Sequence, residues 1–404
     1  MCENLAIFVV MKRIAVIFEG SVSNRLGVFN AVVNRVKHLQ AIAPGVTVDT
    51  WMIQVHDGAV MRRLRRSEPA RERPALLEVD GVTVHVLWCK RSWMDALRHR
   101  ALHRAPSHFV AWLRGVAERM RGYDLLSTHD RIAAQVGEWA QRLWGVPHFI
   151  TWHGASIYTD PPRDPMLRAV TVRLLHSATC NFFVSEGLHR KALELTSDFP
   201  YEVLYNGASQ EFHHFSDERV AQLREHYGLA PDEKVVTFVG RFEPVKNVSL
   251  LPRIFSLIAS KFEGKVKFWT IGGGYQHQQV QDAMLREGVD CTMWGYQSPE
   301  SIPDFLNCTS VLVLPSSLEG LPLVVIEALQ CGANVVASDV VGTAEAIGKE
   351  NAFDINDPQF VSLVAARAVQ MLCGEVRQQL PPHISWEATA RKELVIYQET
   401  LKNN

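Results

Sequence analysis

Two glutamates eight positions apart, Glu319 and Glu327, stand in the run Pro315-Ser316-Ser317-Leu318-Glu319-Gly320-Leu321-Pro322-Leu323-Val324-Val325-Ile326-Glu327-Ala328-Leu329-Gln330-Cys331-Gly332. Pro322 suits the first position of a helix and Gly332 the position just past its end, which predicts a helix of about ten residues. Glu319 then lies in the loop before that helix and Glu327 on its second turn, so both can face a ligand held at the helix N-terminus. Spacing alone equally allows Glu319 to complement the helix dipole and Glu327 to be solvated. Upstream, the strand Val235–Val239 runs into Gly240-Arg241-Phe242-Glu243-Pro244-Val245-Lys246. A cationic pair following a strand end, Arg241 and Lys246, is well placed to bind phosphate. Gly272-Gly273-Gly274 after the strand Phe268–Ile271 opens a helix over Gln276–Arg286, and glycines there let backbone approach a ligand closely.

These residues need elements to carry them. Short apolar runs ending at glycine or a polar cluster recur along the chain: Ile14–Phe18, Phe149–Trp152, Val235–Val239, Phe268–Ile271 and Val311–Leu314. Runs apolar on both faces are the pattern of parallel strands covered by helices on either side. Between them Val28, Val32, Val36 and Leu39, and later Leu250, Ile254, Leu257 and Ile258, repeat at helical spacing. The fold class is therefore α/β. Its 404 residues exceed one ordinary core. The turn signal Tyr205-Asn206-Gly207 divides them into domains over 1–208 and 209–382, and Pro381-Pro382 sets off a last helix within 383–404.

With 47% apolar and 21% charged residues, disordered, collagen-like and coiled-coil readings are excluded. The seven cysteines are scattered with no Cys-x-x-Cys pair, so neither a disulfide framework nor a zinc site is expected and a reducing cytoplasm fits. His99 and His103 have metal-compatible spacing but lack a third ligand. Lys12 and Arg13 interrupt the apolar start, which argues against a membrane span or a signal peptide. Met11 reads as a natural start, with residues 1–10 an extension.

Together the two motifs resemble the retaining GT-B glycosyltransferases of glycosyltransferase family 4, most densely over 235–348. That family is marked by two glutamates separated by seven residues, here Glu319 to Glu327, and by a Gly-Arg-x4-Lys pattern, here Gly240-Arg241 to Lys246. The resemblance implies two Rossmann-like domains facing across a cleft, closing about Asn206–Phe212, with the C-terminal helix returning to the first domain. It further implies that Arg241 and Lys246 hold the donor diphosphate, that Glu327 binds the nucleotide ribose and that Glu319 binds donor-sugar hydroxyls. Gly273 and the backbone of Gly240, Gly320, Leu321 and Leu323 would complete the donor site. Pro322, where many relatives have Gly, removes one N–H donor. In the first domain His153, after Thr151-Trp152, resembles the family's histidine facing the sugar. Ser185 and Glu186 match a recurrent structural element. Arg25 and Gly27 belong to its first glycine-rich loop, in which Leu26 departs from the usual glycine, and are acceptor-side candidates. His129 and Asp130 at a strand end are general-base candidates by position, with a capping role of equal weight.

No Asp-x-Asp triplet occurs, so the resemblance implies no metal and no cofactor beyond the nucleotide-sugar co-substrate, with UDP favoured over GDP or ADP. No Gly-x-Gly-x-x-Gly follows a first strand, which excludes a dinucleotide dehydrogenase. The expected reaction moves sugar to a glycan or lipid-linked glycan in surface polysaccharide or lipopolysaccharide assembly. The alternatives are a weakly active nucleotide-sugar-binding scaffold subunit and a nucleotide-sugar epimerase.

The net charge of −1 is a cancellation: residues 1–208 carry 26 basic and 19 acidic side chains, and residues 209–382 carry 13 and 21. The excess gathers over Arg62–Arg104, where Trp93, Met94, Leu97 and Leu102 alternate with Arg98, Arg100 and Arg104. That mixture suits an anionic inner-leaflet surface rather than nucleic acid, whose recognition modules are missing.

Overall fold

A computed structural model describes residues 11–22, 27–65, 73–95, 97 and 107–402. The chain divides into two compact units, one formed by the residues up to Tyr205 together with those from Trp386, the other by Asn206–Ser385. The first division falls three residues before the turn-based boundary, because the Asn206 side chain donates to the Leu321 carbonyl at 3.5 Å. The second falls at 385/386 rather than 382/383, with Ile384 fully buried and bonded back to Pro381.

In the first unit eight strands are ordered β3-β4-β2-β1-β5-β6-β7-β8. They are β1 (Arg13–Glu19), β2 (Thr47–Asp57), β3 (Leu76–Val79), β4 (Val82–Arg91), β5 (Leu125–His129), β6 (His148–Trp152), β7 (Cys180–Phe183) and β8 (Tyr201–Val203). All neighbours pair in parallel except β3, which runs antiparallel to β4. Period-2 alternation between two covered faces explains why β1 is apolar from Ile14 to Phe18. Ile14, Val16 and Phe18 enter a core with Phe29, Val32 and Val36 of the helix Val28–Ile42. Ala15 and Ile17 enter another on the opposite face, with Leu113 and Val116 of the helix Ser107–Glu118 and Ala133 and Val136 of the helix Asp130–Trp144. The helix Trp386–Lys402 adds Leu394 and Tyr397 to the first of these cores.

The second unit holds β9 (Lys234–Val239), β10 (Val266–Ile271), β11 (Cys291–Gly295), β12 (Val311–Leu314), β13 (Asn334–Ser338) and β14 (Ala352–Phe353), ordered β11-β10-β9-β12-β13-β14 and parallel throughout. In each sheet the strand order reverses at one place, between β1 and β5 and between β9 and β12. Loops at the carboxyl ends of such strands diverge and leave a crevice, the position where open α/β sheets bind ligands.

Candidate active site

The two motifs of the second unit meet at its reversal point. After β9 the chain makes a single turn over Pro244–Lys246, and Asn247 adopts φ +46 to leave it. The Asn247 amide donates to the Pro315 carbonyl at 3.0 Å, and the Ser317 N–H and hydroxyl both reach the Val245 carbonyl, at 2.8 and 3.1 Å. These bonds clamp the loop after β9 to the loop after β12. They bring Lys246 Nζ to 2.6 Å from Glu319 Oε1, with the two side chains only 18% and 12% exposed. Arg241 stays 51% exposed and pairs with Glu243 at 2.8 Å.

Pro322 is the residue before the helix rather than its first: its ψ of 120° is extended, and the helix runs over eight residues, Leu323–Gln330. Gly332 closes it at φ +89, as expected. Glu327 lies on that helix with no hydrogen-bond partner for its carboxylate among the described residues, and burial pushes its carboxyl up to about 7. Leu321 is buried and Leu323 opens the helix. The Gly320 carbonyl accepts from Gly342 N–H at 3.2 Å, a bond reached through Val341 at φ +46. A β-branched residue there costs on the order of 1–3 kcal/mol, the kind of strain found at binding loops.

The glycine run also lets backbone meet backbone within the unit. A Cβ at Gly272 would stand 2.1 Å from the Gly240 carbonyl oxygen, and one at Gly274 2.6 Å from that of Phe242. Phe242 N–H also donates to the Gly273 carbonyl at 2.8 Å, and the Tyr296 ring lies against Gly273. The glycines let two neighbouring strand-end loops touch through their backbones.

In the first unit the reversal point carries His129, the last residue of β5, and Asp130, which begins the next helix at φ +60. His129 Nδ1 lies 2.9 Å from His153 Nε2, and the Asp130 carboxylate accepts from His153 N–H at 3.2 Å. Burial pushes His129 well below the usual imidazole range and His153 down to about 3, and raises the Asp130 carboxyl to about 6. Gly27 starts the helix Val28–Ile42 at φ +60. Arg25, His99 and His103 lie outside the described residues. Ser185 caps the helix Glu186–Leu193, accepting from Leu188 N–H at 3.1 Å. Two groups escaped the sequence reading. Glu19 ends β1 beside Asp130, Arg131 and Asp160. Arg35, a helix residue with no motif around it, is buried with Glu393.

Two open parallel sheets of this order, with a helix returning from the chain end to the first, define the GT-B class of α/β protein. Residues 41–207 match the glycosyl transferase 4-like domain model and residues 220–366 match glycosyl transferases group 1. A D-inositol 3-phosphate glycosyltransferase of Segniliparus rotundus is 25% identical over 88% of this chain and 83% of its own length. A putative teichuronic acid biosynthesis glycosyltransferase of Bacillus subtilis, TuaC, is 26% identical over 82% of each. Among solved structures, Anabaena Alr3699/HepE in complex with UDP and glucose superposes with a TM-score of 0.63 at 17% identity, covering 96% of this chain and all of the other. The chain is a glycosyltransferase, composed of a glycosyl transferase 4-like domain followed by a group 1 domain.

Proposed function

We propose that the protein transfers a sugar from a UDP-sugar to a glycan or lipid-linked glycan acceptor in surface polysaccharide assembly, with retention and without a metal. The observation that carries this reading is the Lys246–Glu319 contact at the reversal point of the second sheet, which joins the loop that follows Arg241 to the loop that leads into the helix of Glu327. A diphosphate draws Lys246 off Glu319, which frees that carboxylate for the sugar hydroxyls. Lys246 and Arg241 then meet the negative charge that develops on the leaving phosphate. The departing phosphate oxygen takes the acceptor's proton on the face it leaves, so the new bond forms on that face. His153, neutral through burial, hydrogen-bonds the sugar without competing for that proton. HepE was solved with UDP and glucose, and TuaC is named for teichuronic acid biosynthesis, a sugar polymer, which supports the donor and the acceptor class. The test is release of nucleoside diphosphate from a panel of sugar nucleotides, with and without glycan acceptor. UDP released in an acceptor-dependent way is the expected result. Turnover without acceptor points to an epimerase, and tight UDP binding with no turnover from any donor to a scaffold.

Glu327 makes the donor site pH-dependent in a stated direction. Its carboxyl, ordinarily near 4.5, is raised to about 7, so ionising it opposes folding and stability declines as pH rises through 7. Ribose hydroxyls donate to the ionised form, so UDP binding strengthens over the same interval. Calorimetry is expected to show wild-type affinity about tenfold higher at pH 8 than at pH 6. Glu327→Gln flattens that dependence and weakens UDP about 10–100-fold, the loss of a hydrogen bond to a charged group, while melting higher at pH 8.

The membrane is the second part of the proposal. No helix among the described residues is long and apolar enough to cross one. Val60, Trp93, Met94 and Leu97 are nonetheless exposed close in sequence to Arg62, Arg63 and Arg91, the composition of a surface-lying segment. Co-sedimentation with anionic vesicles is expected, and replacing Arg62, Arg63, Arg65 and Arg66 by Ser weakens it several-fold. Equal binding by that variant overturns the assignment.

A further inference from the structure

We propose that Arg35, anchored by Glu393 of the returning C-terminal helix, is a positioning residue that keeps the His129–His153 pair uncharged at the rim of the first sheet. The proposal rests on reading His153 as a sugar-facing group. It makes the chain's last helix part of the active site.

Strand register places the parts. On β5 and β6, Ser127 stands opposite Phe149 and His129 opposite Thr151. Side chains alternate across a strand, so these four, continued by His153, share one face. That face is covered from below. The Tyr397 ring lies 4.6 Å from Phe149, with the Ser127 hydroxyl beside it. Arg35 Nη1 donates to Thr151 Oγ1 at 2.9 Å, and Arg35 Nε to Glu393 Oε2 at 2.5 Å, with both side chains almost wholly buried. Glu393 also accepts from the Tyr397 hydroxyl. Arg35 Nη2 is buried with no hydrogen-bond partner among the described residues, so the cation, 5.4 Å from the Phe182 ring centroid, is incompletely satisfied next to the strand position opposite His129.

A cation in a low-dielectric interior opposes adding a proton to its neighbours. Both histidines are held down first by burial; for His129 the neighbouring His153 comes next and Arg35 after it, while for His153 Arg35 is the one further cause. Other charged groups reach the rim from the neighbouring elements: Asp130 and Arg131 from the following helix, Glu19 beside Phe18, which pairs with His129, and Asp160, bonded to Arg131 at 2.6 Å. Any of these carboxylates in its ionised form favours imidazolium, and the Arg35 cation acts against it. Neutrality matters geometrically. The contact at 2.9 Å needs one nitrogen to donate and the other to accept, and two imidazolium rings would present N–H to N–H. With each ring singly protonated, the outward nitrogens offer one donor and one acceptor, a match for a sugar hydroxyl.

The experiment follows the imidazole resonances of the full chain by NMR from pH 4.5 to 8, assigned with His129→Gln and His153→Gln. In the wild type both rings are expected to titrate well below the usual imidazole range. In Arg35→Gln/Glu393→Gln, which exchanges the ion pair for an amide pair, at least one ring is expected to titrate about one unit or more higher. The acid limb of kcat/KM then rises with it, whereas Arg35→Lys, keeping the charge, stays like the wild type. A wild-type midpoint near 6.5 overturns the proposal, as does a folded double variant with unchanged titration. Should the double variant not fold, Arg35→Gln read against Arg35→Lys decides: a rise in the first alone supports the proposal and equal titration in both overturns it. The NMR result stands apart from turnover, so an enzyme inactive with every sugar nucleotide counts against the proposed reaction alone.

Discussion

Replacing Lys246 by Ala is expected to lower kcat/KM for the donor by about 10³, or about 4 kcal/mol of transition-state stabilisation. Two losses combine. The variant lacks the cation that meets charge developing on the leaving phosphate, and it leaves Glu319, only 12% exposed, without the partner now 2.6 Å away. An unpaired carboxylate facing an incoming diphosphate repels it, so KM for the donor rises together with the fall in kcat. Glu319→Ala behaves differently. It frees Lys246 from its competitor, so UDP alone binds at least as tightly as to the wild type, while turnover drops through lost sugar contacts. Because the two side chains act on each other, the double variant costs less than the product of the single effects. Steady-state kinetics together with UDP titration of all three variants checks this. A Lys246→Ala enzyme with unchanged kcat and KM removes the residue from the reaction.

The pairing behind that expectation shows which information is local and which is not. Candidate residue types in each unit were legible because each lies within a few positions of a strand end: Arg241 and Lys246 after β9 and Glu319 before the helix carrying Glu327 in the second unit, His129 and His153 closing β5 and entering the turn after β6 in the first. Strand–helix alternation was legible for the same reason, since apolar runs and helical periods are short-range patterns. Contact between Lys246 and Glu319, 73 positions apart, depends on β9 lying beside β12. The close contacts of the glycine run with the backbone of Gly240 and Phe242 were not legible, because they arise only when β9 and β10 pair. Pro322 fell one residue outside the helix because proline fixes φ and leaves ψ open, and here ψ is extended. Arg35 carried little signal: a lone arginine at a helical position is ordinarily a surface charge, and its partner Glu393 is 358 residues away. A basic residue on an otherwise apolar stripe, between Val32, Val33 and Val36, was the available hint.

Removing that distant partner is expected to be the most damaging change to stability. Glu393→Ala takes away the carboxylate that accepts from Arg35 Nε and from the Tyr397 hydroxyl, and strands a buried guanidinium whose Nη2 already lacks a partner. Breaking one side of a buried ion pair costs about 3–5 kcal/mol, because the remaining charge stays desolvated. The loss falls on the first unit, where the helix Trp386–Lys402 shares a core with β1 and the helix Val28–Ile42. The calorimetric transition of that unit is expected to move down by about 10 °C, with the second unit's transition unmoved and UDP binding to the isolated donor loops retained below it. Arg35→Gln/Glu393→Gln removes both charges at once and is expected to cost much less, since an amide pair needs no compensating ion. If Glu393→Ala melts within about 1 °C of the wild type, the ion pair contributes nothing to holding the returning helix. Burial of Leu394, Tyr397 and Trp386 would then account for its docking alone.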